Sequence, residues 1–426
     1  MLLVYRVLTN ILYPFLFLFI YLRVLLKKED PKRYKEKLLV KNFDARKSYN
    51  KKLIWFHAAS IGEFKSIIPI IEKLNINKKN YQFLITTTTV TSGNLAKNEL
   101  QRFNNAQHRY FPFDVNFLID KFLDIWKPEK IFLVDSEIWP NLILKAHEKK
   151  IPLCLVNARL TEKSYKRWST FPKTAKKIFS LINLCLCSNQ ETQNHLKKLN
   201  ANNVKFFGNI KFSHKIEPKK LIIYNEDILS QSRFWLAASI HNEEYIFCLK
   251  THCEIKKKYN DIITMIAPRH LNNIDKIKSL SENLNLKTQI LNDNEKILEN
   301  AEVIIINSFG VLQKYYNHAK SVFIGKSTIK SLQNDSGQNP IDAAKLNCKI
   351  YHGPYISNFN EVYEILKDKK LSILIKDYYE LSENLIKDLK DPQKKYNDKP
   401  NSINYLGEKI LSNTMFQIDN FINDKI

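Results

Sequence analysis

Paired cysteines are missing from this sequence, and glycine is scarce. The six cysteines lie mostly in apolar segments and show no C-x-x-C spacing, which argues against a structural zinc site and indicates a reducing compartment. Only eight glycines occur in 426 residues. We expect those that remain to serve positions where the backbone turns with positive φ or approaches a ligand closely; ordinary turns and helix caps are the alternative.

Acidic residues are outnumbered by basic ones, 43 against 67, for a formal charge of +24. Such a charge attracts nucleic acid, an anionic membrane surface or an acidic substrate alike. Many lysines stand among isoleucine and asparagine and are equally well explained as solvated surface residues. A hydrophobic content of 44% with 12% aromatics excludes a disordered chain. The length predicts two domains of about 150 to 200 residues each.

Charged residues are also absent from Val7 to Leu22, and Ile11 to Ile20 is apolar apart from one proline and one tyrosine. This length is at the short end for a membrane span. No small-residue cleavage site follows, so an uncleaved anchor, single-pass or monotopic, is favoured over a signal peptide. The basic flank from Lys27 to Lys37 predicts the cytoplasmic side of the inner membrane for the rest of the chain. We expect this flank to contact the anionic leaflet.

Short apolar runs then alternate with amphipathic stretches, which is a β-α-β rhythm and predicts parallel sheets covered by helices. The rhythm loosens between 209 and 226 and then restarts. We therefore predict an α/β chain with two Rossmann-like domains facing a cleft for a donor and an acceptor. The predicted parts are an anchor helix at 1–28, an acceptor domain at 29–212, a linker at 213–228 and a donor domain at 229–426, whose last helix returns to the first domain.

Two strand-to-helix turns carry candidate chemistry. Glu63 follows the first strand in H-A-A-S-I-G-E and is placed to take a proton from a hydroxyl; the alternative is a first-turn glutamate stabilised by the helix dipole. In the second half, A-A-S-I-H-N-E-E ends a strand and opens a helix whose N–H groups suit a phosphate. Arg269 offers a planar fork for phosphate or carboxylate, with a surface ion pair as the alternative.

Ten segments, in order and across nearly the whole chain, together resemble the 3-deoxy-D-manno-octulosonic acid (Kdo) transferase family of lipopolysaccharide biosynthesis. The most specific of them are the W-P-N that follows the acidic residues at the end of a predicted strand, and the sequence N-A-R-L. The segments are H-A-A-S-I-G-E at 57–63, T-T-T-T-V-T-S-G at 86–93, Y-F-P-F-D at 110–114, D-S-E-I-W-P-N at 135–141, V-N-A-R-L-T at 156–161, F-G-N-I-K-F at 207–212, A-A-S-I-H-N-E-E at 237–244, A-P-R-H at 267–270, S-G-Q-N-P-I-D-A-A at 336–344 and H-G-P-Y-I-S-N-F at 352–359.

The resemblance implies an inverting glycosyltransferase of the GT-B type that moves Kdo from CMP-Kdo to the lipid A precursor lipid IVA, with no cofactor and no metal at the reacting centre. It implies Glu63 as general base and Glu137 as a second acid, which we interpret as orienting or structural. The acceptor-binding candidates are Ser60, Gly62 and Arg159. The donor-binding candidates are Ser239, His241, Arg269, His270, Gly337, Gln338, Asn339, Asp342, Asn209 and Lys211; for His270 a helix cap is an equal alternative.

The sequence departs from the family's pattern at several positions. Lys326 replaces a glycine of a pair, Val311 replaces a glutamate, and Asp135 and Asp342 each stand in place of a glutamate. The loop from Thr328 to Asp335 is longer than usual, and a changed donor is one possible consequence. Two other functions stay open: a membrane-associated transferase that uses a UDP-sugar, and a membrane-tethered nucleic-acid-binding protein. No recognised nucleic-acid-binding module supports the latter.

Overall fold

The computed structural model describes residues 1–43, 51–77, 80–216, 221–391 and 402–424. The chain forms two compact units: Met1–His214 together with Leu406–Ile426, and Lys215–Tyr405. Pro218, at the centre of the predicted linker, lies outside the described residues. The predicted roles of the two domains in acceptor and donor binding stay predictions.

The first unit is built on a seven-stranded parallel sheet of order β3-β2-β1-β4-β5-β6-β7. Its central strands consist of buried apolar residues because helices cover both faces. The strands are β1 Lys52–His57, β2 Tyr81–Thr87, β3 Ala106–Tyr110, β4 Lys130–Val134, β5 Leu153–Ala158, β6 Leu184–Cys187 and β7 Val204–Phe206. The helices are α1 Leu2–Leu25, α2 Ile61–Asn77, α3 Val90–Leu100, α4 Asn116–Trp126, α5 Pro140–Glu148, α6 Glu162–Ser169, α7 Pro172–Ser180 and α8 Gln190–Lys198.

The second unit repeats this plan with a parallel sheet of order β10-β11-β9-β8-β12-β13-β14. The strands are β8 Arg233–Ile240, β9 Ile262–Pro268, β10 Thr288–Leu291, β11 Val303–Ile306, β12 Ser321–Ile324, β13 Lys349–His352 and β14 Ser372–Leu374. The helices are α9 Glu226–Gln231, α10 Tyr245–Lys256, α11 Ile274–Glu282, α12 Leu312–His318, α13 Ile341–Lys345, α14 Asn360–Asp368 and α15 Tyr378–Asp388.

The last helix, α16 Ser402–Ile422, ends against the first unit. Phe421 packs edge-on against Phe132 of β4, with ring centroids 5.5 Å apart. Lys130, buried at the start of β4, forms an ion pair with Asp424 just beyond the helix. This pair explains how a lysine can begin a fully buried strand, since a buried charge needs a partner.

The predicted fold class, two doubly wound parallel α/β domains behind an apolar first helix, is confirmed. The alternating pattern did not predict β3 and β14. Both are edge strands, and β3 carries the polar sequence A-Q-H-R-Y. An edge strand is covered less completely than a central one, so its sequence lacks the continuous apolar run that identifies the others.

Candidate functional site

Glu63 lies in the first turn of α2, directly after β1. Its carboxylate accepts hydrogen bonds from the Ala59 N–H at 2.7 Å and from the Ser60 hydroxyl at 2.9 Å. Burial, followed by the negative charges of Asp135 and Glu137, raises the pKa of Glu63 above its ordinary value. A carboxylate with a raised pKa holds an abstracted proton more readily, which is the property required of a general base.

Glu137 lies close by, in a contrasting environment. His57 Nε2 lies 3.0 Å from its carboxylate and Trp139 Nε1 donates to the same oxygen at 2.8 Å. Burial disfavours the charged form of Glu137, but the hydrogen bonds from His57 and Trp139 outweigh burial and lower its pKa. Two neighbouring carboxyl groups with pKa values shifted in opposite directions are suited to different roles. Glu137 is the charged, fixed group, and Glu63 is the one suited to exchange a proton.

His57 connects Glu137 to the interior of the sheet. The ring is fully buried and stacks on Phe111, with centroids 3.9 Å apart. An ionised carboxylate only accepts hydrogen bonds, so we assign a proton to His57 Nε2. The Thr86 hydroxyl accepts from Trp55 Nε1 at 2.9 Å and lies 2.9 Å from His57 Nδ1. His57 Nδ1 also lies 3.2 Å from the Thr86 carbonyl, so Thr86 holds this side of the ring while Nε2 contacts Glu137.

Asp135 and Lys211 form an ion pair in the same unit, with Lys211 Nζ 3.0 Å from the carboxylate. The Asn209 side chain accepts a hydrogen bond from the Lys211 N–H at 3.0 Å. The Arg159 N–H donates to the Asp135 carbonyl at 3.1 Å. Asn209 and Lys211, predicted to bind the donor, thus belong to the first unit with the acidic residues, and the Lys211 charge is paired there. Their contact with the donor stays a prediction.

The acidic neighbours of Glu63 make a prediction about pH. Asp135→Asn removes the negative charge that contributes most after burial to the raised pKa of Glu63. The pKa of Glu63 should fall, so the acid limb of the pH profile of kcat/KM should move to lower pH. The surface variant Asp120→Asn is the control. An unchanged limb, or one moved to higher pH, would show that Glu63 does not control the profile.

Ser60 and Gly62 complete the turn that holds Glu63. Ser60 is committed to the Glu63 carboxylate, so its hydroxyl positions the candidate base. Gly62 is exposed, and a Cβ atom added there would meet nothing within 4 Å. Packing in this chain therefore does not require glycine at position 62. The predicted contact of Gly62 with the acceptor stays a prediction.

A cavity of about 320 Å³ opens beside this turn. Phe19, Ile20 and Arg23 of α1 line it, together with Trp139 and Glu137. The other lining residues are Glu29, Lys37, Ala59, Thr88, Thr89, Phe111, Pro112, Phe113 and Asp114. The cavity thus joins an apolar wall from the first helix to one of the two acids, a combination suited to an amphiphilic ligand.

In the second unit, Glu244 is a buried carboxylate that the sequence analysis did not single out. It accepts hydrogen bonds from the backbone N–H groups of Lys326 at 2.7 Å, Ser327 at 3.0 Å and Thr328 at 3.1 Å. The Thr328 hydroxyl at 2.9 Å and the His241 N–H at 3.2 Å also donate to it. Glu244 therefore ties the loop after β12 to the turn after β8. The loop's amides are satisfied from inside the protein and are not free for a phosphate.

Gly325 allows this carboxylate to approach. A Cβ atom at position 325 would lie 2.8 Å from Glu244 Oε2 and 2.6 Å from the Ser239 carbonyl. Both distances are too short for any side chain, so contact with the protein's own atoms requires glycine at position 325. The expectation that scarce glycines approach a ligand closely stays a prediction.

Predicted donor residues gather around His241. Its ring lies 5.7 Å from the ring of His270, and Gln338 Nε2 lies 3.5 Å from its Nε2. Burial, then the positive charges of Lys326, His270 and Arg269, lower the pKa of His241 to about 4. His241 is therefore neutral at pH 7, and it lies near Arg269 and near Lys326, whose ammonium pairs with Asp335 at 3.0 Å. Positive charges near a site favour an anionic ligand.

The remaining predicted donor residues take up local hydrogen bonds. Gly337 has a φ of 81° and its N–H donates to the Lys326 carbonyl at 2.7 Å. The Asn339 side chain accepts from the Ile341 N–H at 3.0 Å. Asp342, on α13, accepts from Gln313 Nε2 at 2.9 Å. The structure brings Gln338 to His241 and assigns structural bonds to Asn339 and Asp342.

Left-handed backbone occurs at four non-glycine residues at the carboxyl ends of strands. Asp135 and Asn157 have φ values of 62° and 53° in the first unit, and Ser239 and Lys326 both have 57° in the second. Such backbone costs about 1 to 3 kcal/mol and clusters at functional sites. At Lys326, where the sequence departs from the family, the backbone has a conformation that suits glycine although it carries a lysine.

Glu244, His57 and Lys326 are the site residues that sequence reasoning missed or undervalued. Glu244 and His57 lay inside motifs that were quoted, and Lys326 was noted only as a departure. One signal in the sequence could have identified them: each of the three lies at or shortly after the end of a strand, among other polar residues. Their partners come from distant parts of the chain, and the sequence pattern alone does not identify them.

The expectation of no metal at the reacting centre stays a prediction. Within the described ranges, Glu162, Glu191 and His195 bring one ligand atom each to within 4.8 Å of one another. Both glutamates are exposed, and Glu162 already pairs with His195. Exposed acidic groups of this kind are common without an ion.

The chain is similar to known proteins in sequence and in fold. A sequence profile described as 3-deoxy-D-manno-octulosonic-acid transferase (kdotransferase) matches residues 32–214. An Arabidopsis thaliana protein named "Probable 3-deoxy-D-manno-octulosonic acid transferase, mitochondrial" is 30% identical over 332 residues, covering 74% of this chain and 72% of that protein. A Rickettsia bellii 3-deoxy-D-manno-octulosonic acid transferase is 28% identical over 432 residues, covering 98% and 99% of the two chains.

Among solved structures, a UDP-GlcNAc 2-epimerase from Neisseria meningitidis, bound to UDP-GlcNAc, superposes with a TM-score of 0.57 at 16% identity. The match covers 86% of this chain and 100% of the epimerase chain. At this identity the likeness shows a shared fold and nothing about the substrate.

Proposed function

We propose, from the premise that this chain belongs to the Kdo transferase family, that it moves Kdo from CMP-Kdo to lipid IVA in lipopolysaccharide biosynthesis, with inversion at the anomeric carbon. Family membership makes the chain a glycosyltransferase. The acceptor, the residues and the membrane side are the proposed parts. The single observation that carries the mechanism is Glu63, a carboxylate with a raised pKa in the turn after β1.

In the proposed reaction, Glu63 takes the proton from an acceptor hydroxyl as that oxygen bonds to the anomeric carbon of Kdo. The bond from this carbon to the CMP phosphate breaks, and CMP leaves with the bonding electron pair. A hydroxyl is a poor nucleophile until its proton is removed, so the base contributes directly to the rate. Glu137, held ionised by His57 and Trp139, fixes the electrostatic environment in which Glu63 works.

The donor is assigned to the cluster of His241, Arg269, His270, Lys326 and Gln338. CMP-Kdo carries a phosphate and a sugar carboxylate, and a positive cluster around a neutral histidine suits both groups. An anion bound there would raise the pKa of His241 from its low value. The tight loop after β12, held by Glu244, gives this cluster a fixed backbone frame.

The lipid acceptor is assigned to the cavity beside Glu137. Its apolar wall from α1 suits an acyl chain, and its opening beside the Glu63 turn suits the sugar end of the lipid. A membrane-bound acceptor also requires the enzyme to work at a membrane surface. Helix α1, with 24 residues, is long and apolar enough to meet one. We assign the two units to the cytoplasmic side of the inner membrane.

Arg269→Lys tests donor binding. Lysine keeps the charge but loses the bidentate hydrogen bonding of the guanidinium. The apparent constant for CMP-Kdo should therefore rise about tenfold, which corresponds to about 1.4 kcal/mol of binding free energy. Arg233→Lys is the control, because Arg233 lies at the amino end of β8, whereas the donor cluster follows the carboxyl ends of the strands, and because it pairs with Asp261. A donor constant unchanged by Arg269→Lys would exclude Arg269 from the site.

Lys326→Gly separates charge from backbone strain. Glycine relieves a left-handed conformation that costs other residues about 1 to 2 kcal/mol, so the fold should be kept or stabilised. The donor constant should nevertheless rise about fivefold, because loss of the ammonium leaves the Asp335 carboxylate, its partner at 3.0 Å, unpaired beside the donor cluster, and charges about 4 Å apart interact by about 1 kcal/mol even in water. Lys370→Gly, with a φ of 58° in the same unit, is the matched control. Equal donor constants for both variants would show that the Lys326 charge is not used.

A further inference from the structure

Helix α1 is docked along the first unit by polar side chains on one face. The Tyr5 hydroxyl donates to Asp114 at 2.9 Å, and Thr9 Oγ1 accepts from Asn141 Nδ2 at 3.1 Å. One turn further on, the Tyr13 hydroxyl donates to the Leu38 carbonyl at 2.8 Å. Residues four apart lie on one helix face, so these bonds form a continuous seam.

The seam extends to both ends of the helix. Arg6 pairs with Glu148 near the beginning, and Arg23 pairs with Glu29 near the end. Ile20 is buried at 1% exposure between them. The whole helix, about 36 Å at 1.5 Å per residue, is therefore part of the first unit.

The opposite face of α1 is apolar and uncovered within the described residues. Ile20 is the one residue of α1 that is buried. The exposed face consists of Leu3, Val4, Val7, Leu8, Ile11, Leu12, Phe15, Leu18, Phe19, Leu22 and Leu25. Contiguous apolar patches of this kind mark sites that meet a membrane or another protein. The lysines exposed just beyond the helix, at 27, 28, 32 and 35, favour an anionic lipid surface.

A bilayer-spanning position conflicts with the docked seam. Next to Glu148, the surfaces of α4 and α5 carry Asp120, Lys145 and Lys149, with Lys149 Nζ 3.1 Å and Lys145 Nζ 3.5 Å from the Asp120 carboxylate. If the docked helix crossed a bilayer, these charges would enter hydrocarbon, which strongly disfavours them. If the helix left the unit in order to cross, buried Asp114 and Asn141 would lose hydrogen-bond partners.

We propose that α1 is a monotopic helix that lies in the plane of the membrane interface. Its apolar face enters the lipid and its polar face stays docked on the first unit. The four exposed lysines then lie at the anionic headgroups. Lys37, included in the predicted basic flank, does not belong to this surface, because it is buried against Glu29 and the Thr88 carbonyl. In this position the cavity behind Phe19 and Ile20 lies at the depth of the lipid headgroups.

Cysteine labelling in native membranes tests the proposal. The background is full-length Cys253→Ser, since the five other cysteines are buried. Asn10→Cys lies at the border between the two faces, and Ile11→Cys lies on the apolar face. A membrane-impermeant maleimide should label Asn10→Cys from the same side as Lys28→Cys and should leave Ile11→Cys unlabelled. Protection of Asn10→Cys from both sides would place it in hydrocarbon and overturn the proposal; labelling of Ile11→Cys would also overturn it.

A second measurement tests the docking itself in membranes. Arg6→Cys combined with Glu148→Cys should be bridged by a short bifunctional maleimide, because these side chains meet in the docked helix. The two single variants are the controls. Failure to cross-link in membranes, with cross-linking in detergent, would show that the helix leaves the unit to cross the bilayer. Neither measurement depends on catalysis, so failure here is distinguishable from failure of the proposed transferase function.

Discussion

Glu63→Gln should reduce kcat on the lipid acceptor by about 10²- to 10⁴-fold, the usual contribution of a general base. The substitution fits the site closely. A glutamine carbonyl can accept from the Ala59 N–H, and its amide can donate to the Ser60 hydroxyl, so both hydrogen bonds of the carboxylate have replacements. The apparent constant for CMP-Kdo should change little, because the donor cluster proposed around His241 belongs to the second unit.

The stability of this variant separates the base from a structural role. A carboxyl whose pKa is raised in the folded state binds its proton more tightly there, so its ionisation destabilises the fold as pH rises above the unfolded pKa. Neutral glutamine removes that cost, and the melting temperature at pH 7 should be kept or increased. A glutamate that only complemented the helix dipole would lose about 0.3 to 1 kcal/mol of stability and keep its turnover.

Glu72→Gln is the matched control for Glu63→Gln. Glu72 stands on the same helix and pairs with Arg102 at 3.0 Å on the surface, so its loss should affect neither kcat nor the donor constant. Near-normal kcat in a folded Glu63→Gln enzyme would remove Glu63 from the mechanism and make Glu137 the next acid to test.

Glu244→Gln should destabilise the second unit by about 2 to 5 kcal/mol and raise the donor constant at least about tenfold. A glutamine carbonyl can replace the oxygen that accepts from Ser327 and Thr328. Its amide NH₂ group then faces the backbone N–H groups of Lys326 and His241. All three groups are hydrogen-bond donors, so neither N–H finds an acceptor there. The loop beside the donor cluster should shift. Saturating CMP-Kdo should restore most of kcat, since Glu244 positions the loop and does not touch the reacting atoms.

Glu243→Gln is the control for this variant, since Glu243 occupies the same turn with its side chain exposed. It should leave both stability and the donor constant unchanged. If Glu244→Gln lowered stability without raising the donor constant, Glu244 would be a structural anchor only, and the loop after β12 would not belong to the donor site.

The parts of the fold that could be predicted from sequence are those with a repeating physical signal. Central strands such as β4, K-I-F-L-V, are buried on both faces, and β4 is therefore apolar after its first residue, Lys130. The edge strand β3 has no such run and went unpredicted. The sequence also indicated the apolar first helix, but its docked face became visible only in the structure. The seam depends on Asp114 and Asn141, more than a hundred residues away from Tyr5 and Thr9.

The candidate site also has a part that the sequence predicts and a part that only the structure shows. Glu63 and Glu137 were found because they follow strands inside recognisable motifs. Their opposite pKa shifts depend on His57, Trp139 and Asp135, and these contacts are tertiary. Glu244 was missed because its five hydrogen bonds come from the turn after β8 and from a loop about eighty residues further on. Side-chain partners of that kind leave no periodic trace in a sequence.

The mass of the lipid product is the most direct test of the proposed transfer. Purified full-length enzyme is incubated with lipid IVA and either CMP-Kdo or a panel of UDP-sugars, with Glu63→Gln as the inactive control. We expect that CMP-Kdo alone increases the mass of the lipid, by one or more Kdo residues, and that Glu63→Gln forms little product in the same time. An unchanged lipid with CMP-Kdo, together with a mass increase from a UDP-sugar, would contradict it.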